Sequence, residues 1–106
     1  MADWITVADI GEITPSTSRV VDVDGTLIAV FNIDGEYYAI EDVCTHDGGL
    51  LTGGTVERDV IICPRHGARF CIKTGAALSA PAYEATTTFP VRVQDAQIQV
   101  QDTRWD

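Results

Sequence analysis

Basic residues, histidine and long hydrophobic runs are all scarce in this sequence. Its 106 residues hold 7 lysines and arginines against 16 aspartates and glutamates, a formal net charge of −9 at pH 7. Such a charge repels phosphate backbones and anionic membranes, so we expect neither nucleic acid nor a membrane as a partner. It steers a basic partner, or it serves only solubility. The longest apolar run, residues 27–31, is far too short to cross a bilayer.

A targeting segment and an even number of cysteines are also lacking. No basic residue or long apolar stretch follows Met1, so neither a secretory signal nor a transit peptide is visible, and we expect a cytoplasmic protein. In a reducing cytosol, three cysteines indicate metal ligation or catalysis rather than a disulfide framework.

The composition is that of one ordinary globular domain. Apolar residues make up 45% and charged residues 22% of the chain, which is too hydrophobic for a disordered protein. A length of 106 residues lies near the commonest domain size and leaves no room for a second domain. We therefore expect a single domain over residues 1–106.

Two Asp-Gly pairs dominate the local pattern of the first half. Asp24-Gly25 and Asp34-Gly35 favour tight hairpin turns between β-rich segments. They predict an antiparallel meander of three strands over residues 19–23, 27–33 and 36–41.

The rest of the chain also favours short strands. Alternating apolar and polar residues predict a hairpin of 91–93 with 98–100 that returns to the sheet of the meander. Another predicted hairpin joins 61–62 to 68–72. No window supports a long helix, although residues 7–10 suit a helical turn. No internal repeat is evident, and the pattern is that of an all-β protein.

Both histidines and two of the three cysteines fall into two short clusters, Cys44-Thr45-His46 and Cys63-Pro64-Arg65-His66. Each cluster supplies one thiolate and one imidazole, so together they offer the four ligands of a metal centre. Glycines lie beside both clusters, where missing side chains let backbone amides approach sulfur: Gly48, Gly49 and Gly67.

Three kinds of site are compatible with these ligands. A mononuclear Cys₂His₂ zinc site is one, although zinc-binding turns usually place two or more residues between paired ligands, and Cys44 and His46 are separated by one. A Cys/His catalytic dyad is another, and it leaves half of the cluster residues unused. A dinuclear iron–sulfur cluster uses all four, with the thiolates on one iron and the imidazoles on the other.

The paired motif resembles the Rieske ferredoxins that serve bacterial aromatic-ring-hydroxylating dioxygenases. Cys-Thr-His and Cys-Pro-Arg-His-Gly are followed, as in that family, by Ala68-Arg69-Phe70 and Thr74-Gly75. The resemblance implies one [2Fe-2S] cluster as cofactor. Cys44 and Cys63 would bind its inner iron, and His46 and His66 its outer, solvent-facing iron. The implied architecture is the all-β Rieske (ISP-like) fold, an antiparallel β-sandwich-like base with a small inserted cluster-binding subdomain at about residues 43–83.

The same resemblance implies an electron-transfer component of aromatic hydrocarbon catabolism rather than an enzyme. The ferredoxin would carry single electrons from a flavin-dependent NAD(P)H reductase, a flavoprotein, to a terminal Rieske non-haem iron oxygenase. An oxygenase subunit itself would need a further iron site built with two histidines, and the sequence holds only 2 in all.

Residues around the clusters suggest a low reduction potential. High-potential relatives carry a disulfide at the positions that resemble Gly49 and Arg65, and hydroxyl donors at those that resemble Ala68 and Phe70. Fewer donors to the cluster sulfurs stabilise the reduced state less, so we expect a potential at the low end of the Rieske range.

Five further residues invite functional assignments. Cys71 lies outside the ligand spacing and suits a small buried hydrophobe better than a redox-sensing thiol. Arg65 and Arg69 flank the second histidine, where they either guide a partner or are simply solvated. Trp4 and Trp105 are expected to cover edges of the core.

Overall fold

The computed structural model describes residues 3–104, which form ten β-strands and no helix. None of these residues therefore forms a helix that could cross a membrane. The strands make three antiparallel sheets, in the orders β1-β10-β9, β2-β3-β4-β8 and β5-β6-β7. Their bounds are β1 Ile5–Asp9, β2 Ser18–Val23, β3 Thr26–Ile33, β4 Glu36–Glu41, β5 Thr55–Glu57, β6 Val60–Ile62, β7 Arg69–Cys71, β8 Thr88–Phe89, β9 Val91–Gln94 and β10 Gln97–Val100.

The predicted three-stranded meander is confirmed and forms most of the middle sheet. Its two turns have positive φ at both central residues, 51° and 88° at Asp24 and Gly25, and 53° and 87° at Asp34 and Gly35. Aspartate and glycine tolerate this left-handed backbone, whose twist matches that of the flanking strands.

Strand β3 is buried on both faces and divides the interior into two cores. Successive side chains of a strand point to opposite faces, so Phe31 and Ile33 join one core while Ile28 and Val30 join the other. The first core lies towards the third sheet and includes Cys44 and the fully buried Phe70. The short apolar run is thus the centre of a layered β-structure.

Two predictions about the strands near the chain ends were wrong. The C-terminal hairpin forms as β9 and β10, but it pairs with β1 rather than with the meander. Residues 7–10 were expected in a helical turn, and most of them lie in β1, where Ala8 packs in the second core. Pro90, which has no N–H to donate, separates β8 in the middle sheet from β9, so the chain changes sheets there.

The third sheet is an insertion between two neighbouring strands of the middle sheet. The chain leaves that sheet after β4, forms β5, β6 and β7, and returns as β8 beside β4. The predicted hairpin that contains residues 61–62 is present as β6 and β7. A sandwich-like base with an inserted small sheet agrees with the predicted fold class.

Trp4 is half-buried directly before β1 and contacts an arginine side chain. The Arg92 guanidinium carbon stands 4.3 Å from the centroid of the Trp4 ring, and Arg92 Nε donates to Gln99 Oε1 at 2.7 Å. Trp105 lies outside the described residues.

Candidate metal centre

Three loops in the inserted segment share one backbone frame and each begins with a cysteine; we call them the Cys loops. In each, the cysteine N–H donates to the carbonyl five residues later, and the glycine four residues later donates back to the cysteine carbonyl. The pairs are Cys44 N to Gly49 O at 2.7 Å with Gly48 N to Cys44 O at 2.7 Å, Cys63 N to Ala68 O at 2.7 Å with Gly67 N to Cys63 O at 3.1 Å, and Cys71 N to Ala76 O at 2.9 Å with Gly75 N to Cys71 O at 2.7 Å.

Glycine is required at the same point of each Cys loop. The φ angles of Gly48, Gly67 and Gly75 are 76°, 74° and 78°, in the left-handed region that other residues rarely adopt. The sequence carries this frame as a Cys-x-x-x-Gly repeat at 44–48, 63–67 and 71–75. The expectation of no internal repeat was therefore wrong, and the repeat is a signal that reading the cysteine–histidine pairs alone missed.

The first two Cys loops bring the four predicted ligands into two layers. Cys44 and Cys63 are buried. His46 and His66 are exposed, with ring centroids 5.1 Å apart and ring planes at 85°. The third Cys loop has no histidine, and Cys71 at its start is half-buried.

The donor atoms form two groups rather than one. Cys44 and Cys63 lie within 4.8 Å of each other and of an Asp47 oxygen, and His46 and His66 form a second such group with the same aspartate. Within residues 3–104, the four predicted cysteine and histidine ligands do not form a single group at that distance. A tetrahedral zinc ion needs its sulfur and nitrogen ligands roughly 3.6 Å apart, so the arrangement favours two metals over one.

Arg65 and Asp47 link the two loops electrostatically. Arg65 Nε and Nη2 donate to the two Asp47 carboxylate oxygens at 2.6 and 3.0 Å, and Nη1 donates to the Leu50 carbonyl at 2.9 Å. The guanidinium and the Gly49 amide hold the pKa of Asp47 well below its usual range. The hydrogen bonds that Arg65 donates to the Asp47 carboxylate in turn raise the pKa of Arg65.

The buried thiols suit a bound metal cluster. Burial raises the pKa of the Cys44 thiol, so a metal cation is needed to hold it as a thiolate. Arg65 Nη2 lies 3.3 Å from Cys63 Sγ and donates towards it, which is the contact expected of a donor to a cluster ligand. Two thiols and two imidazoles, each loop giving one of each, fit the ligand requirement of a Rieske [2Fe-2S] cluster.

Comparison with known proteins decides the family. A family model described as the Rieske [2Fe-2S] domain matches residues 3–90. This chain belongs to the Rieske family. Its cofactor is accordingly one [2Fe-2S] cluster, and the resemblance seen in the sequence is confirmed.

Relatives of this Rieske protein include two ferredoxin subunits. The 3-phenylpropionate/cinnamic acid dioxygenase ferredoxin subunit of Shigella boydii serotype 4 (strain Sb227) is 47% identical over 73 residues, 68% of this chain and 69% of that protein. The biphenyl dioxygenase ferredoxin subunit of Pseudomonas sp. (strain KKS102) is 34% identical over 96 residues, 90% of this chain and 88% of that one. A chain in the solved complex of reduced oxygenase and oxidized ferredoxin in carbazole 1,9a-dioxygenase matches with a TM-score of 0.89 and 35% identity over 92% of both chains.

The residues linked above to the reduction potential lie close to the predicted ligand cysteines. Ala68 and Phe70 are fully buried in the core that contains both predicted ligand cysteines, and neither carries a hydroxyl. Gly49 faces Arg65 so closely that a Cβ there would lie 2.5–2.8 Å from the guanidinium atoms. An arginine over a glycine therefore stands where high-potential relatives were expected to carry a disulfide.

Asp42 supports the first Cys loop and was missed by the sequence reasoning. It is buried, and its carboxylate accepts from Leu51 N at 2.9 Å, Thr52 N at 2.8 Å and Thr52 Oγ1 at 2.6 Å. These bonds fix the end of the segment that carries Cys44. An acidic residue directly after strand β4, near the first cysteine, was the available signal, because a buried carboxylate needs hydrogen-bond partners.

Proposed function

We propose that this protein is a low-potential Rieske ferredoxin that carries single electrons to a terminal aromatic-ring-hydroxylating oxygenase and performs no catalysis itself. The observation that carries the proposal is the layered donor set, with a buried thiol pair beneath an exposed imidazole pair. Its relatives named as dioxygenase ferredoxin subunits support the same role. Bound in this site, the cluster accepts and releases one electron.

In this proposal Cys44 and Cys63 bind the inner iron, and His46 and His66 bind the outer one. The exposed fraction of the His66 side chain, 56%, supports an outer iron within reach of a partner. Neutral imidazoles in place of two thiolates make reduction easier than in plant-type ferredoxins. We further propose that residues 1–106 form one domain whose cluster-binding part spans about residues 43–83.

Two exposed apolar residues lie on segments whose backbone contacts the loops of the two histidines, and they would supply a docking face for the oxygenase. Leu50, 48% exposed, follows the first Cys loop, and its carbonyl accepts from Arg65. Tyr83, 85% exposed, precedes Glu84, whose carbonyl accepts from Thr45 Oγ1 at 2.6 Å beside His46. Aromatic and aliphatic groups of this kind are typical anchors of protein interfaces.

The electron donor in the proposal is a flavin-dependent NAD(P)H ferredoxin reductase, which suits the expected low potential. Both partners would meet the ferredoxin in the cytoplasm, where the three cysteines, all free of disulfides, suit a reducing compartment. The net charge of −9 favours partners with basic docking faces.

A stopped-flow experiment tests the role. The dithionite-reduced protein is mixed with oxidised terminal oxygenase purified from the same host, and the absorbance of the ferredoxin cluster is followed. We expect reoxidation to saturate with oxygenase concentration and the L50S and Y83S variants to bind the oxygenase at least tenfold more weakly. V93S is the matched control for L50S, because Val93, at 51%, is about as exposed as Leu50 but lies on β9 in another sheet. A reduced protein that passes no electrons to the oxygenase would refute the proposal.

A further inference from the structure

The first two Cys loops face each other with their side chains crossed. His46 and Arg65 both stand two residues after the cysteine of their loops, whereas Asp47 and His66 both stand three residues after it. Across the interface the two histidines meet each other, at 5.1 Å between ring centroids, and Arg65 meets Asp47. The loops therefore meet through one pair of candidate ligands and one ion pair, and Asp47 Oδ2 also lies 3.6 Å from His66 Nδ1.

We propose that Arg65 and Asp47 are positioning residues that clamp the two Cys loops together and hold the cluster ligands in register. Because it concerns cluster retention, the inference rests on the proposed ligand set. The clamp would slow the release of the cluster, and its guanidinium would also raise the reduction potential through Cys63.

The geometry of Arg65 is that of a fixed group rather than of a solvated side chain. Its three guanidinium nitrogens all donate to protein atoms: both Asp47 oxygens, the Leu50 carbonyl and Cys63 Sγ. Bidentate arginine–carboxylate pairs are among the stronger and more directional hydrogen-bonded contacts. Arg65 is thus engaged within the site, which argues against the partner-recognition role considered for it from the sequence.

Asp47 is also held in place by its own loop. Its Oδ1 accepts from Gly49 N at 2.9 Å, so the carboxylate is oriented by the first Cys loop before it meets Arg65. Gly49 leaves the space in which the guanidinium lies, since a Cβ there would meet three of its atoms. The side-chain exposures of Arg65 and Asp47, 36% and 21%, leave the pair partly shielded from water.

The contact with sulfur gives the clamp an electronic effect. A cation that donates to a ligand sulfur stabilises the extra negative charge of the reduced cluster more than the oxidised state. Loss of the guanidinium should therefore make the potential more negative. Lysine at the same position keeps a positive charge but cannot form the bidentate fork.

Cluster release from the holoprotein tests the clamp. Release to a chelator is followed by visible absorbance for the wild type, R65Q, D47N and the double variant R65Q/D47N, and midpoint potentials are measured for the wild type, R65Q and R65K. R69Q is the control, because Arg69 is also an arginine close to His66 in the sequence. Among the ion pairs of the described residues, Arg69 takes part only in the one with the exposed Glu57, at 3.5 Å.

We expect each single clamp variant to release the cluster on the order of tenfold faster, because the charge-assisted hydrogen bonds between the two loops are lost. The double variant should be no faster than the singles. R65K should release the cluster almost as fast as R65Q but keep a potential nearer to the wild type. R69Q should match the wild type in both readouts.

Three results would overturn the clamp: wild-type release rates in R65Q and D47N, multiplicative effects in the double variant, or equal effects in R69Q. If R65Q does not fold, R65K and D47N give the same comparison. A wild-type protein without a mixed-ligand iron–sulfur signal would refute the proposed function itself. An intact signal with unaltered release in the variants would refute the clamp alone.

Discussion

His46 and His66 lie edge to face at the exposed side of the site, 5.1 Å between ring centroids, while the cysteines that begin their loops are buried. This difference in burial between the cysteines and the histidines distinguishes an electron-transfer site from a purely structural metal site. In the proposed assignment, the buried thiolates would hold the inner iron, and the exposed imidazoles would hold the outer iron near the surface, where an electron can pass to a partner.

The third Cys loop provides a matched control for the ligand assignment. C44S should lose the cluster, because a serine hydroxyl is a much weaker ligand of cluster iron than a thiolate, whereas C71S should retain it. Iron and sulfide content of the purified variants measures the difference. Loss of the cluster from C71S together with its retention in C44S would show that the ligands were wrongly assigned.

Adding hydroxyl groups near the cluster should raise its potential. The A68S and F70Y variants place hydroxyls where high-potential relatives were expected to carry them. We expect a rise on the order of 50 mV for each, since roughly 59 mV corresponds to a tenfold change for one electron.

The starting potential should lie near the low end of the roughly −150 to +300 mV Rieske range. Redox titration by visible circular dichroism measures the midpoint potentials of the wild type and of the A68S and F70Y variants. F89Y is the control, because Phe89 packs in the other core and should leave the potential unchanged. A wild-type midpoint well above zero would contradict the low-potential assignment.

Removal of the Asp42 carboxylate should destabilise the first Cys loop and with it the fold. D42A leaves the amides of Leu51 and Thr52 without their acceptor, which we expect to cost about 3 kcal/mol of the free energy of unfolding. D22A removes an exposed carboxylate that accepts a single bond, from Gly25 N, and should cost under about 1 kcal/mol. Urea unfolding of the apoproteins compares them, and equal losses would refute the supporting role.

Gly54 should be intolerant of a side chain. A Cβ there would collide with the carbonyl oxygen of Ile62, the residue before Cys63. We expect G54A to lose about 3 kcal/mol of stability and to release its cluster faster. G25A, in an open hairpin turn with φ of 88°, should lose about 1 kcal/mol and keep the wild-type release rate. Thermal unfolding and cluster release together check this, and normal release by G54A would contradict it.

The meander and its turns could be predicted from the sequence because they depend on local chemistry. Asp24-Gly25 and Asp34-Gly35 fix two-residue turns whatever lies around them. The strand that pairs with the C-terminal hairpin could not be predicted, since alternation of apolar and polar residues shows which face is buried but not which strand lies beside it. The change of sheet at Pro90 depends on β8, a strand of two residues that is too short to leave a pattern.

The candidate site, like the fold, could be predicted from the sequence only in part. The four candidate ligands could be selected from the sequence because thiolate and imidazole at this spacing have few other uses, and the structure brings them together in two pairs. Asp42 and the Asp47–Arg65 pair could not, because charged residues are mostly solvated and their partners here are set by how two loops meet. The repeated Cys-x-x-x-Gly frame was visible in the sequence, but only the structure shows that it is one recurring loop.

Pulsed electron paramagnetic resonance of the dithionite-reduced protein, prepared with ¹⁵N-labelled histidine, tests the central claim most directly. A Rieske cluster predicts a paramagnetic iron–sulfur signal coupled to two histidine nitrogens, with both couplings lost or altered in variants of His46 and His66. A silent spectrum, as for a zinc protein, or an iron–sulfur signal without nitrogen coupling, as for an all-thiolate cluster, would contradict it.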